Sequence, residues 1–430
     1  MALYNSDEQA VVPFLWGVST AAHQIEGGNH NDWSLWEKNN AARLSSQASP
    51  DNNYGNGKLS ASVWQYVAKL ASVPDNYISG TAANSWERWR DDIDLVSKLG
   101  LNAYRYSIEW SRIQPTRDSV DQAALDRYVQ MTEYCLASGI TPVITLHHFT
   151  NPIWFADLGG WSKKEAVGLF NAYVELVVNA LPKNKAIYYT VINEPNVYVL
   201  LSWLLGHWPP AKHNYLAYRR AKKHLLAAHK NAYGFIKQAD PSAMVSSSVN
   251  LMDFDPKPNR FKIINNFLAY LGRKLLNDWF IDRSLATMDF LAINHYMHCV
   301  VDMGYYKNDA TEPKSDLGWY LDPQSLSRVV NYAGKFHKPI IITEHGIADA
   351  KDDKRVWFMS ESLAALEKAI QKGADVRGYL HWSLLDNFEW DKGYWPKFGL
   401  YAVNADNQKR SKKPSADIFK AIVAESKRRR

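Results

Sequence analysis

The sequence predicts an α/β fold, a single (β/α)8 TIM barrel with long βα connections over its carboxyl-terminal face, and three observations carry that expectation. Eight short apolar runs recur along the 430 residues. Amphipathic stretches lie between them, and several stop at a glycine just before the next run. The runs are short and mainly apolar rather than strictly alternating, which suits parallel strands covered on both faces. An eightfold alternation of strand and helix in one chain favours a closed ring over an open sheet.

The first strand is expected at 14–19. The helical pattern at 86–99 (WERWRDDIDLVSKL) stops at Gly100, and a second strand at 102–107 follows at once. A helix at 121–138 stops at Gly139 before the strand at 141–147. Helices at 163–180 and 215–239 precede strands at 188–193 and 244–249. The sixth strand is expected at 290–294, and the helix at 322–336 leads to the seventh at 339–343. A helix at 356–372 stops at Gly373 before the eighth strand at 376–382, and 414–427 reads as a closing helix. No Gly/Ser-rich or Pro-rich linker divides the chain, so residues 1–430 are expected to form one catalytic domain. The excess length falls in connections at 27–83, 196–214, 250–283, 295–321 and 384–411. Apart from portions of the first, each follows a strand, on the face where barrel active sites form.

Composition excludes several classes. With 46% hydrophobic and 22% charged residues the chain has ordinary globular content. There is no uninterrupted apolar run of ~18 residues, so neither a membrane span nor a membrane partner is expected. The first residues lack a basic start followed by an apolar run. The cysteines are two, Cys135 and Cys299, which excludes a disulfide scaffold and a four-cysteine metal site. A cytoplasmic location follows as an expectation. The formal charge, 50 − 44 = +6, is partly carried by the basic tip at 427–430, which reads as a solvated helix end, so no nucleic-acid partner is expected. A homo-oligomer is compatible with the sequence. The 17 Trp, 24 Tyr and 15 Phe could fill a core or form platforms for sugar rings, and composition does not choose between them.

Barrel strands bury their side chains, so polar residues at their carboxyl ends need a reason. Here they are Gln24 and Glu26, Arg105, His147 and His148, Asn193 and Glu194, Asn294 and Tyr296, Glu344, and His381 and Trp382. This ring contains no acid-rich cluster. HExxH spacing is absent, and adjacent strand residues such as His147 and His148 point to opposite faces, so no metal and no cofactor is expected. Glu194 (in Asn-Glu-Pro) and Glu344 (in Ile-Thr-Glu-His-Gly) would face each other across the mouth. Paired carboxylates flanking a bond are the apparatus of glycoside hydrolysis, one protonated to donate and one ionised to attack or to activate water. Arg105 is a suitable partner for the ionised one.

These motifs resemble glycoside hydrolase family 1, the β-glucosidase and β-galactosidase family. The matching stretches are STAAHQIEG at 19–27, YRYSIEWSRI at 104–113, LHHFT at 146–150, DLGGW at 157–161, NEP at 193–195, ITEHG at 342–346 and GYLHWSLLDNFEW at 378–390. The resemblance implies that Glu194 is the acid/base and Glu344 the nucleophile, with Arg105 and Tyr296 holding the nucleophile ionised. It implies that Gln24, His147, Asn193, Glu389 and Trp390 bind the sugar hydroxyls, Asn193 nearest the 2-hydroxyl, above a Trp382 platform. Trp319 is a candidate for the leaving-group side. The family is retaining, which implies carboxyl groups about 5–5.5 Å apart. His345, Val191, Lys397-Phe398 and Asn151 depart from the usual pattern without removing a catalytic group. Glu389 would repel a phosphate, so unphosphorylated β-glucosides are expected as substrates, with β-galactosides and β-fucosides accepted, as small glycosides or oligosaccharides. The alternatives are a 6-phospho-β-glycosidase or transglycosylase of the same family, and, in another class, a non-catalytic sugar-binding barrel. Tyr188, Tyr189, Trp203 and Trp208 read as packing residues, His23 and Glu26 as structural, and Glu109 and Asp386 as turn or network residues.

Overall fold

The computed structural model describes residues 13–51, 58–303, 305–306 and 313–429. Arg430 of the basic tip, and parts of the 27–83 and 295–321 connections, lie outside the described residues. Eight parallel strands close into a ring. They are β1 (Leu15–Ser19), β2 (Ala103–Ser107), β3 (Thr141–His147), β4 (Tyr188–Asn193), β5 (Met244–Asn250), β6 (Leu291–His295), β7 (Ile340–His345) and β8 (Val376–Trp382). Each strand pairs with its sequence neighbours, and β8 returns to β1. The expected eight-stranded α/β barrel is therefore the observed fold, with strand ends within one or two residues of those read from sequence.

Sequence explains the regularity locally. Gly100, at φ +71°, lets the helix Ser85–Lys98 stop and turn straight into β2, a conformation that side-chain-bearing residues rarely adopt. The base of the barrel is filled by inward apolar side chains, among them Leu15, Ala103, Val143, Tyr188, Ile341 and Leu380. Above that layer the interior turns polar, with Thr145 and Thr190 sharing a hydroxyl hydrogen bond of 2.6 Å. A much larger apolar layer lies between the strands and the outer helices.

The long connections are more structured than the sequence reading gave. The first holds helices Asp32–Ser46 and Ala61–Ala71, and the fifth-strand connection holds Lys262–Gly272 and its continuation. The helix at 32–46 begins with a reciprocal cap: Asn31 accepts from Ser34 N at 2.8 Å, and Ser34 Oγ accepts from Asn31 N at 2.9 Å. Asn31 Nδ2 also lies 3.1 Å from His23 Nδ1, and the His23 ring packs beside Trp33. Among the described residues, no helix is long and apolar enough to cross a membrane.

Candidate active site

Strand register brings the polar strand ends to one level. Ser19 is aligned with both Arg105 and Trp382, Asn294 with both Glu344 and Asn250, and Asn193 with Ser248. Two irregularities in the ladders sit beside the key residues, between Thr190 and Asn193 on β4 and between Ile342 and Glu344 on β7. A bulge of this kind re-aims a side chain that simple alternation would send elsewhere. Glu194 follows at φ +41°, and Pro195 then opens the short helix Pro195–Val199.

The two carboxylates have unlike surroundings. Glu344 is 4% exposed. Its Oε1 accepts from Arg105 Nη1, and its Oε2 accepts from the Tyr296 hydroxyl at 2.7 Å. Arg105 is fully buried and also donates to Asn193 Oδ1 at 2.7 Å. Burial raises the Glu344 pKa, against the opposing pull of Arg105, Tyr296 and Asn294, which favour the ionised form. Glu194 has neutral partners: its Oε1 accepts from Asn250 at 3.0 Å and from Asn294 at 2.8 Å. Burial first, then the charge of Glu344, raises its pKa to about 7. Asn294 also donates to Asn193 at 3.1 Å and accepts from Thr343 at 2.7 Å, so one amide ties both acids and β4 together.

A second polar group lies deeper. Gln24 donates to Glu389 Oε2 at 3.1 Å, and Asn387 donates to the same oxygen at 3.0 Å. Burial raises the Glu389 pKa to about 8. Gln24 Oε1 is buried with no partner. Behind this pair Trp390 stacks on His23 (5.7 Å, 11°) and packs against Trp33, Phe149 and Trp208. Trp382 lies over His148 and groups with Tyr296, Trp319 and Phe398. Trp319 is 5.8 Å from the Tyr296 ring, toward the outer side of that group.

The reading of His147 is corrected. β3 ends at His147, and the chain then turns through Phe149 at φ +73°. The His147 ring packs on Trp161, Phe170 and Tyr198, and its Nε2 is 3.1 Å from Asn151 Oδ1. His148 instead lies with the site residues: Asn193 Nδ2 donates to its Nε2 at 3.0 Å, and its ring faces Trp382 and Trp390. Burial and the Arg105 charge keep it neutral. With Nε2 accepting, the proton falls on Nδ1, which is buried without a partner and can serve a hydroxyl oxygen. His148→Ala is expected to lower kcat/KM about tenfold to a hundredfold, the worth of one or two hydrogen bonds. His147→Ala should lower the melting temperature and leave kcat/KM near wild type. Steady-state kinetics and calorimetry on the two variants check this, and the reverse pattern would restore His147.

Asn250 was missed because β5 was read as ending at 249; a strand that closes on Asn at the mouth was the available signal. Among the departures, Asn151 is explained by partners: it donates to Asp32 and to the Tyr198 hydroxyl, both at 2.8 Å. His345, next to Glu344 in sequence, is buried, with its Nδ1 3.1 Å from the Tyr379 hydroxyl. Glu26 pairs with Arg112 and Glu109 with Thr150, away from the mouth. Next to Glu344, Gly346 has no room for a side chain: a Cβ there would collide with the backbone carbonyl of Trp382. Among the described residues, no group of three or more His, Cys, Asp or Glu is placed to hold a metal ion.

Comparison with known proteins gives a consistent picture. The family model described as glycosyl hydrolase family 1 matches residues 8–286 and 285–428. Beta-glucosidase A of Acetivibrio thermocellus is 27% identical, over 95% of this chain and 97% of that protein. A bifunctional beta-D-glucosidase/beta-D-fucosidase of Bifidobacterium breve is 28% identical, over 96% and 97%. The solved beta-glycosidase from Pyrococcus horikoshii superposes with a TM-score of 0.80 at 30% identity, covering 95% of this chain and 93% of that one.

Proposed function

The chain belongs to glycosyl hydrolase family 1 and is a glycoside hydrolase, and from that premise we propose that it removes single sugars from the non-reducing end of unphosphorylated β-glucosides with retention of configuration. The observation that carries this reading is the asymmetry of the two acids. One is gripped by a guanidinium and a phenol; the other is held by two amides with its pKa raised to about 7. Environments that push two carboxyl groups apart assign the roles of nucleophile and acid. Glu344 attacks the anomeric carbon while Glu194 protonates the departing oxygen. Glu194 then takes a proton from water, which frees the sugar from Glu344. A pair served by one amide suits direct attack, at about 5–5.5 Å, better than the ~6.5–9.5 Å gap that holds a water in inverting enzymes.

Exo action is supported by the packed aromatic cluster of Trp390, Trp33, Phe149 and Trp208 next to Glu389. Gln24, His148, Asn193 and Glu389 are assigned the hydroxyls, and Trp382 the ring face; Trp319 is assigned to the leaving group. A cytoplasmic location is proposed from the two buried thiols, Cys135 and Cys299. The initial product anomer, followed by proton NMR, tests retention: β-sugar first supports it, and α-sugar first ends it. A panel of nitrophenyl glycosides should show turnover of β-glucoside, β-fucoside and β-galactoside and rejection of the 6-phosphate.

The pH profile has a definite sign. Glu194 must carry its proton, so kcat/KM falls as pH rises through about 7. Glu344 must be ionised, so kcat/KM falls again on the acid side, at a pH above the usual carboxylate range. In Glu194→Gln the alkaline limb should vanish for substrates with good leaving groups. An alkaline limb that survives unchanged would remove Glu194 from its role.

A further inference from the structure

After β5 the chain forms the short strand Asp253–Pro256, paired with His298–Asp302, and turns into the helix Lys262–Gly272, which continues as Arg273–Asp278. This segment stands at the carboxyl ends of the strands, on the rim of the catalytic mouth. It is seated by a narrow stripe of buried Asn265 and Ala269. The opposite face carries Ile263, Ile264, Phe267, Tyr270 and Leu271, with Leu275 in the next turn, all exposed. Ile263 is 85% and Phe267 61% exposed. The spacing gathers these residues on one stripe, the reverse of a helix whose outer face is hydrated. Contiguous apolar patches of this kind mark interaction sites.

The surrounding charge says what the stripe fits. Residues 256–275 contain five basic side chains, Lys257, Arg260, Lys262, Arg273 and Lys274, and no acidic one. Lys257 reaches Asp302 on the paired strand, and Lys274 is paired with Asp278 at the end of the same helix and with Asp282 beyond it, while Arg260 and Lys262 are exposed beside the stripe. We propose that this helix is an interfacial anchor that lies on a lipid bilayer carrying anionic headgroups. An apolar face bordered by Lys and Arg is the chemistry of helices that lie in the headgroup plane. A second copy fits less well, because a twofold contact would oppose the same basic borders. The sequence reading expected no membrane partner because it looked for a spanning length; a surface-lying helix needs periodicity instead.

The anchor is joined to the chemistry. Asn196 donates to the carbonyls of Leu276 (3.1 Å) and Asn250 (2.8 Å), and the Asn250 amide holds Glu194. Docking on this rim turns the mouth toward the bilayer and toward glycosides carried in it.

Co-sedimentation of the full chain with vesicles tests the proposal, using phosphatidylcholine alone and phosphatidylcholine mixed with phosphatidylglycerol. The expected result is binding to the anionic vesicles that weakens with added salt. Ile263→Ser with Phe267→Ser should lower the partition about tenfold or more. The same variant should hydrolyse a soluble aryl β-glucoside at the wild-type rate, which shows that it folds. Arg260→Glu with Lys262→Glu should remove the preference for anionic vesicles. Absence of binding, or binding that ignores the apolar substitutions, overturns the proposal. So does a stable wild-type dimer that Phe267→Ser dissolves, which would assign the face to a second copy.

Discussion

Glu344→Gln is expected to lower kcat for an aryl β-glucoside by about ten-thousand-fold or more while the fold is kept. Glutamine has nearly the same shape and keeps one acceptor oxygen for Arg105 or Tyr296, but its neutral amide is not a competent nucleophile. The loss should appear in kcat and kcat/KM together, because the missing interaction is a covalent bond formed only during reaction. Circular dichroism and thermal melting separate this from misfolding. A smaller residue at 344 should accept an added azide ion in place of the carboxylate and yield the α-glycosyl azide. Turnover by Glu344→Gln at the wild-type rate would show that the nucleophile lies elsewhere. The substitution also removes the charge that helps to raise the Glu194 pKa, so the remaining acid should titrate lower than in the wild type.

Glu194→Ala is expected to divide substrates by leaving group. A dinitrophenolate departs without a proton, so its release should stay fast while hydrolysis of the intermediate slows; an alkyl or sugar leaving group should lose about a hundredfold to ten-thousand-fold. A burst of dinitrophenol followed by a slow steady state is the signature, and azide should speed the slow phase to give the β-glycosyl azide. Equal losses for good and poor leaving groups would contradict an acid/base role. The two variants together distinguish the roles, because only the nucleophile variant reverses the anomeric configuration of the azide product.

The strands were legible because each is a short run with an apolar centre, such as Val143-Ile144 in 141–147 and Tyr379-Leu380 in 376–382, set between helical patterns. The carboxylates were legible because they break those runs at their ends. His147 against His148 was not, since alternation holds only while the strand lasts and β3 ends at the first of the two. Asn250 and the helix at 262–272 were hidden for different reasons. The first lies one residue past the apolar run, and the second exposes the face that a sequence reading assigns to the core.

Gly346 carries a lesson about where change can enter this molecule. The seam between the end of β7 and the Trp382 backbone admits no added atom. Change is therefore steered outward: a side chain added at this seam displaces backbone, so new preferences in the proposed site are expected to arise from substitutions on the rim.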